Sequence, residues 1–73
     1  MTTKHEKTIE EHAQDNFAMA LDQADEYPTL ADAFVAYGQN AVDSIQEDGY
    51  SAEDAERGMW IFYSLEQNYR KGA

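Results

Sequence analysis

The chain has 73 residues, no cysteine, and fifteen acidic against five basic side chains, a formal net charge of −10 at pH 7. That length allows one domain, and chains of this size bury only roughly 60% of the surface they expose when unfolded. The charge balance argues against direct contact with DNA, RNA or anionic membranes, which needs clustered Lys and Arg. The missing cysteine removes disulfides and thiolate metal ligands.

A small scaffold without those staples commonly gains its remaining stability by oligomerising. The first residues, Met1 to Lys7, are too polar for a signal peptide, and no run is long and apolar enough to span a bilayer. The expectation is a soluble, cytoplasmic protein with residues 1–73 forming a single helical domain. Its acidity has two readings: it keeps a small domain soluble, or it attracts a basic protein surface.

In chain order, Thr3-Lys4-His5-Glu6 has the form of a capping box and predicts a first helix over about 4–26. Its apolar stripe is Ile9, Ala13, Phe17, Ala20, Leu21, Ala24 and Tyr27, with Glu10, Glu11, Asp15, Asp22 and Asp25 mainly off it. Met19 falls on the opposite side. Pro28 then interrupts, as a sharp turn or as a kink in one continuous helix. Thr29 can cap a second helix over about 30–47, whose inner stripe is Leu30, Phe34, Tyr37, Ala41 and Ile45. Val35 and Val42 lie to one side with Gly38 between the sectors. Gly38 costs about 1 kcal/mol of helix propensity relative to Ala, which either permits the close approach of another helix or marks a tolerated surface glycine. Asp48-Gly49-Tyr50 ends this helix, with Gly49 in a left-handed cap.

Ser51 caps a third helix over about 52–71, with Glu53 and Asp54 at its positive end and Arg70 and Lys71 at its negative end. Its main stripe is Ala55, Met59, Phe62, Leu65 and Tyr69, with Gly58 and Glu66 on the same side. Within it lies Met59-Trp60-Ile61-Phe62-Tyr63, five consecutive large residues that cover the whole helix circumference. A helix apolar all round must be buried on several sides, so part of the cover is expected from a second chain. The fold class is therefore all-α: two to three amphipathic helices in antiparallel packing, completed by dimerisation.

Sites of chemistry are poorly supported. His5 and His12 share a helix with many carboxylates but form no Glu-x-x-His or His-Glu-x-x-His element, and both read as solvated. Counting back from Gly49 puts Ser44 and Gln46 where a calcium loop needs carboxylates. Ser44, Ser51 and Ser64 have no apparent base, and there is no nucleophile elbow or phosphate-cradling loop. No enzyme, cofactor or metal is expected. The aromatic set reads differently, because Trp and Tyr with Met and Arg beside them are typical of interface hot spots. The candidate partner or dimer interface is Met59, Trp60, Ile61, Tyr63, Val35, Gly38, Val42 and Tyr69.

The expected function is a non-enzymatic protein-binding module that sequesters a partner through a hydrophobic helical face framed by acids. One alternative is an acidic nucleic-acid mimic, with carboxylates of the first two helices imitating a phosphate track; another is a structural subunit of a larger helical assembly. In size, charge and the Trp60 to Tyr63 patch, the whole chain resembles small phage-encoded inhibitors of host proteins, the quorum-sensing anti-activator more closely than the anti-CRISPR proteins. The resemblance implies sequestration of a host transcription regulator or other host factor without chemistry. It rests on no diagnostic motif, so no residue roles are carried over.

Overall fold

The computed structural model describes residues 5–72. Three α-helices pack on one another: α1 (Ile9–Asp22), α2 (Leu30–Glu47) and α3 (Ala52–Gly72), with a short 3-10 turn at Ala24–Glu26 between the first two. No strand occurs among the described residues. No described helix is long and apolar enough to cross a membrane.

The first helix is shorter than 4–26. Its N-cap is Thr8, whose hydroxyl accepts from the Glu11 amide at 3.0 Å while the Glu11 carboxylate accepts from the Thr8 amide at 2.9 Å. This capping box satisfies two amides that would otherwise lack partners. A cap at Thr3 lies outside the described residues, but His5 to Lys7 are not helical. At the other end, α1 stops at Asp22 and tightens into the 3-10 turn. Tyr27, the residue before Pro28, is extended, as the proline ring requires. The Pro28 junction is thus a turn, and α2 begins anew, with the Thr29 hydroxyl accepting from the Asp32 amide at 3.2 Å.

The second connection follows from its residues directly. Gly49 has φ 91°, a conformation that costs any residue with a Cβ. It lets the Gly49 amide donate to the Gln46 carbonyl at 3.0 Å and the Tyr50 amide to the Ile45 carbonyl at 3.2 Å. This is a Schellman end, and Tyr50 packs back onto the Ile9, Ile45 and Ala55 cluster. The Ser51 hydroxyl accepts from the Asp54 amide at 3.2 Å and starts α3.

These turns fold the chain into an up-down-up bundle. Phe17 of α1 stacks on Phe34 of α2, with ring centroids 5.3 Å apart, and Phe62 of α3 meets Phe17 edge-on at 5.6 Å. At the opposite end, Ile9, Ile45 and Ala55 form a second cluster. The pairings Phe17–Phe34 and Ile9–Ile45 make α1 and α2 antiparallel; α3 runs antiparallel to α2 in the same way. Phe34 and Ile45 are fully buried, and each contributes about 1.5–3 kcal/mol of hydrophobic stabilisation.

The inward face of α3 is turned from the expected stripe. Ala55, Gly58 and Phe62 are buried and Ile61 and Leu65 half-buried, whereas Met59 and Tyr69 are exposed. Gly58 explains the rotation. A Cβ there would overlap Ile45 Cδ1 and sit 3.3 Å from Ile9 Cγ2, so the absent side chain is the space these two isoleucines fill. The line of closest approach runs through Gly58, and Met59, one residue on, is swung outward.

A candidate protein-binding groove between α2 and α3

Helices α2 and α3 make two grooves. One is filled by α1. The other is open, with a volume of about 540 Å³, and is lined by Phe34, Val35, Ala36, Gly38, Gln39, Val42, Met59, Phe62, Tyr63 and Glu66. Its floor is the outer side of Phe62, whose inner side packs on α1. Its walls are Val35 and Val42 from α2 and Met59 and Tyr63 from α3, all near the i, i+3, i+4, i+7 rows that helical geometry puts on one face. Gly38 keeps the floor low: a Cβ there would lie 3.5 Å from the Phe62 ring, in ordinary contact.

Much of this lining is exposed. Val35 is 74% exposed, Met59 42% and Tyr63 49%. Trp60, 56% exposed, stands outside the α3 wall with its ring perpendicular to Tyr63 at 5.9 Å between centroids. Singly exposed apolar residues are ordinary on a protein surface, but a contiguous set around a groove marks an interaction site.

The structure therefore gathers Val35, Gly38, Val42, Met59 and Tyr63 into one groove, with Trp60 on its rim. Two of the expected interface residues stand elsewhere. Ile61 is half-buried against both core clusters on the opposite side of α3. Tyr69 lays its ring edge-on against Phe17 and Phe34, at 6.1 and 6.2 Å, and closes the end of the aromatic core. The chain's own helices supply the cover for Ile61 and Phe62. What stays uncovered from the five-residue run is Met59, Trp60 and Tyr63.

A second concavity, of about 570 Å³ between α1 and the end of α2, is polar. It corrects the reading of the histidines as solvated. His12 is buried, only 8% exposed, and its Nε2 donates to the Asp48 carboxylate at 2.8 Å. His5 Nδ1 donates to the Asp48 carbonyl at 2.6 Å, and the His5 ring stacks on Tyr50 at 3.6 Å. The carboxylate of Asp48 also accepts from the amides of Glu6 and Lys7, at 2.8 and 3.0 Å. These donors, the Glu6 amide foremost and then His12, hold the Asp48 carboxyl at about 2, down from its ordinary 3.8. Tyr50 completes the knot by donating its hydroxyl to the Lys7 carbonyl at 2.7 Å. Asn16, also buried, donates to the His12 carbonyl at 2.9 Å and accepts from the Asn40 amide.

No buried side-chain nitrogen or oxygen among the described residues lacks a partner. The cluster ties the segment before α1 to the end of α2. Among the described residues, no three His, Asp or Glu side chains converge to hold a metal ion.

No protein-family model matches the chain, and no curated protein and no solved structure matches it either. The groove's own chemistry is what bears on function: its walls are apolar, with Trp60 and Tyr63 at one edge.

Proposed function

We propose that this protein is a non-enzymatic protein-binding module that engages its partner through the α2–α3 groove and works in the cytoplasm. The observation that carries this reading is the contiguous exposure of Val35, Met59, Trp60 and Tyr63 around a groove whose floor is the back of the core residue Phe62. Burial of such residues supplies most of the energy at protein interfaces, with Trp and Tyr contributing disproportionately. In its finer form, the reading is that the chain sequesters a host regulatory protein, which is what the resemblance to phage-encoded inhibitors implies.

The test is capture from a host lysate with wild-type and Trp60→Ala baits, followed by titration of the purified partner and assay of that partner's own activity. The expected result is a partner retained at high salt, lost with Trp60→Ala, and inactivated by stoichiometric amounts of the chain. A partner eluted by salt and indifferent to Trp60 would replace this reading with nucleic-acid mimicry, since phosphate-like recognition is screened by salt whereas apolar burial is not.

A further inference from the structure

The groove's surroundings narrow the kind of partner it fits. On α2, Asp32 and Asp43 fall on the outward flank of the Val35 face, and both are exposed. On α3, exposed Glu56 shares the face of Met59 and Tyr63, and Glu66 lines the groove directly. The cation on this face, Arg70, is already paired with Glu66 at 3.4 Å and lies over the Phe34 ring at 5.8 Å. Arg57 pairs within its own helix with Asp54, at 3.8 Å, and lies off the groove face. The apolar groove is thus framed by a surplus of carboxylates.

Its length and form are as informative as its charge. From Val35 to Val42 it follows two turns of α2, roughly 10 Å. Both walls are helices, and there is no sheet edge among the described residues for an extended peptide to pair with. On the far side of the same α2–α3 pair, α1 shows what such a groove accepts: a helix laid along it with its apolar stripe inward. A helix in the open groove would complete a four-helix arrangement.

Resting on the protein-binding reading above, we propose that the occupant is an amphipathic helix of another protein, with an apolar stripe flanked by Lys or Arg. The stripe packs on Val35, Val42, Met59 and Tyr63 with Trp60 over its edge, and the flanking cations meet Asp32, Asp43 and Glu56. A second copy of this chain fits the groove less well. It would carry its own net charge of −10 and bring the same carboxylates against themselves.

Trp60 is the single tryptophan of the chain, so its emission reports the groove rim directly. Two synthetic helical peptides of roughly four turns, about 14 residues, share one Leu-rich stripe and differ in Lys or Glu flanks. Each is titrated into the full chain while Trp60 fluorescence is read. The expected result is a blue shift with the Lys-flanked peptide and binding at least about tenfold tighter than with the Glu-flanked one. That advantage should shrink in Asp43→Asn/Glu56→Gln, and Val35→Ser should weaken binding of both peptides. Equal affinity for the two peptides would overturn the basic-helix inference and leave the groove as an interface. Indifference to Val35→Ser would overturn it too, by putting the peptide elsewhere. If neither peptide binds but the emission shifts with the chain's own concentration and sedimentation shows a dimer, the occupant is a second copy and the inference fails. No binding and a monomer throughout would overturn the basic-helix inference alone, because the protein-binding reading is decided separately by the capture experiment.

Discussion

Two residues show how differently exposure and burial translate into consequence. Trp60 meets Tyr63 edge-on and is more than half exposed. Trp60→Ala should therefore change the unfolding free energy of the chain, read from urea denaturation, by no more than about 0.5 kcal/mol, while costing about 2 kcal/mol or more in partner affinity by titration. Asp48 is the opposite case. Its folded carboxyl titrates at about 2 against an ordinary 3.8, so its stabilising contribution is complete above that ordinary value and is lost as pH falls through about 2. Thermal melts of the wild type should accordingly fall in this acid window more steeply than those of Asp48→Asn. Parallel curves for the two proteins would show that Asp48 is not held by the Glu6 and Lys7 amides and His12. Neither this knot nor the burial of His12 was legible in the sequence. The partner of His12 lies 36 residues away, and the nearby Asp15, which pairs with Lys7 instead, suggested a solvated helix face.

At the scale of the helix, the signals that were legible are those a few neighbouring residues settle among themselves. Thr29, Ser51 and Gly49 cap and terminate as their types require, and the α2 stripe of Phe34, Ala41 and Ile45 is buried as its spacing implies. The start of α1 was not legible, because Thr3-Lys4-His5-Glu6 and Thr8-Ile9-Glu10-Glu11 share one grammar. The second wins because Ile9 is the first residue of the buried stripe and because Asp48 takes the amides of Glu6 and Lys7. The rotation of α3 was equally hidden, since it depends on which residue of another helix fills the space at Gly58. Gly58→Ala should lower stability by about 1–3 kcal/mol despite the better helix former, as read from denaturant midpoints. Ile45→Val removes the overlapping Cδ1 at a cost of about 0.5–1.5 kcal/mol by itself, and the double variant should lose clearly less than the sum of the two. Strict additivity would mean that the Gly58–Ile45 contact does not set the helix approach. Gly38→Ala, whose Cβ makes only ordinary contact with Phe62, should instead gain up to about 1 kcal/mol.

The whole molecule is a three-helix bundle in which α1 fills one groove of the α2–α3 pair and leaves the other open. That asymmetry turns five consecutive bulky residues into a division of labour. Phe62 and Ile61 go to the core, and Met59, Trp60 and Tyr63 go to the open face. The run itself announced that something besides one apolar stripe had to be covered, but only the packing of all three helices shows which residues the chain covers for itself. The account stands on the open groove being the binding surface, and an amide chemical-shift map of the isotopically labelled chain, titrated with the Lys-flanked helical peptide, tests this most directly. The predicted perturbations centre on Val35, Gly38, Val42, Met59 and Tyr63, and leave Asp15, Asn16 and Ser44 around the polar concavity unmoved. Shifts centred on the acids of α1 or on the Asp48 knot, with the α2–α3 groove silent, would contradict it.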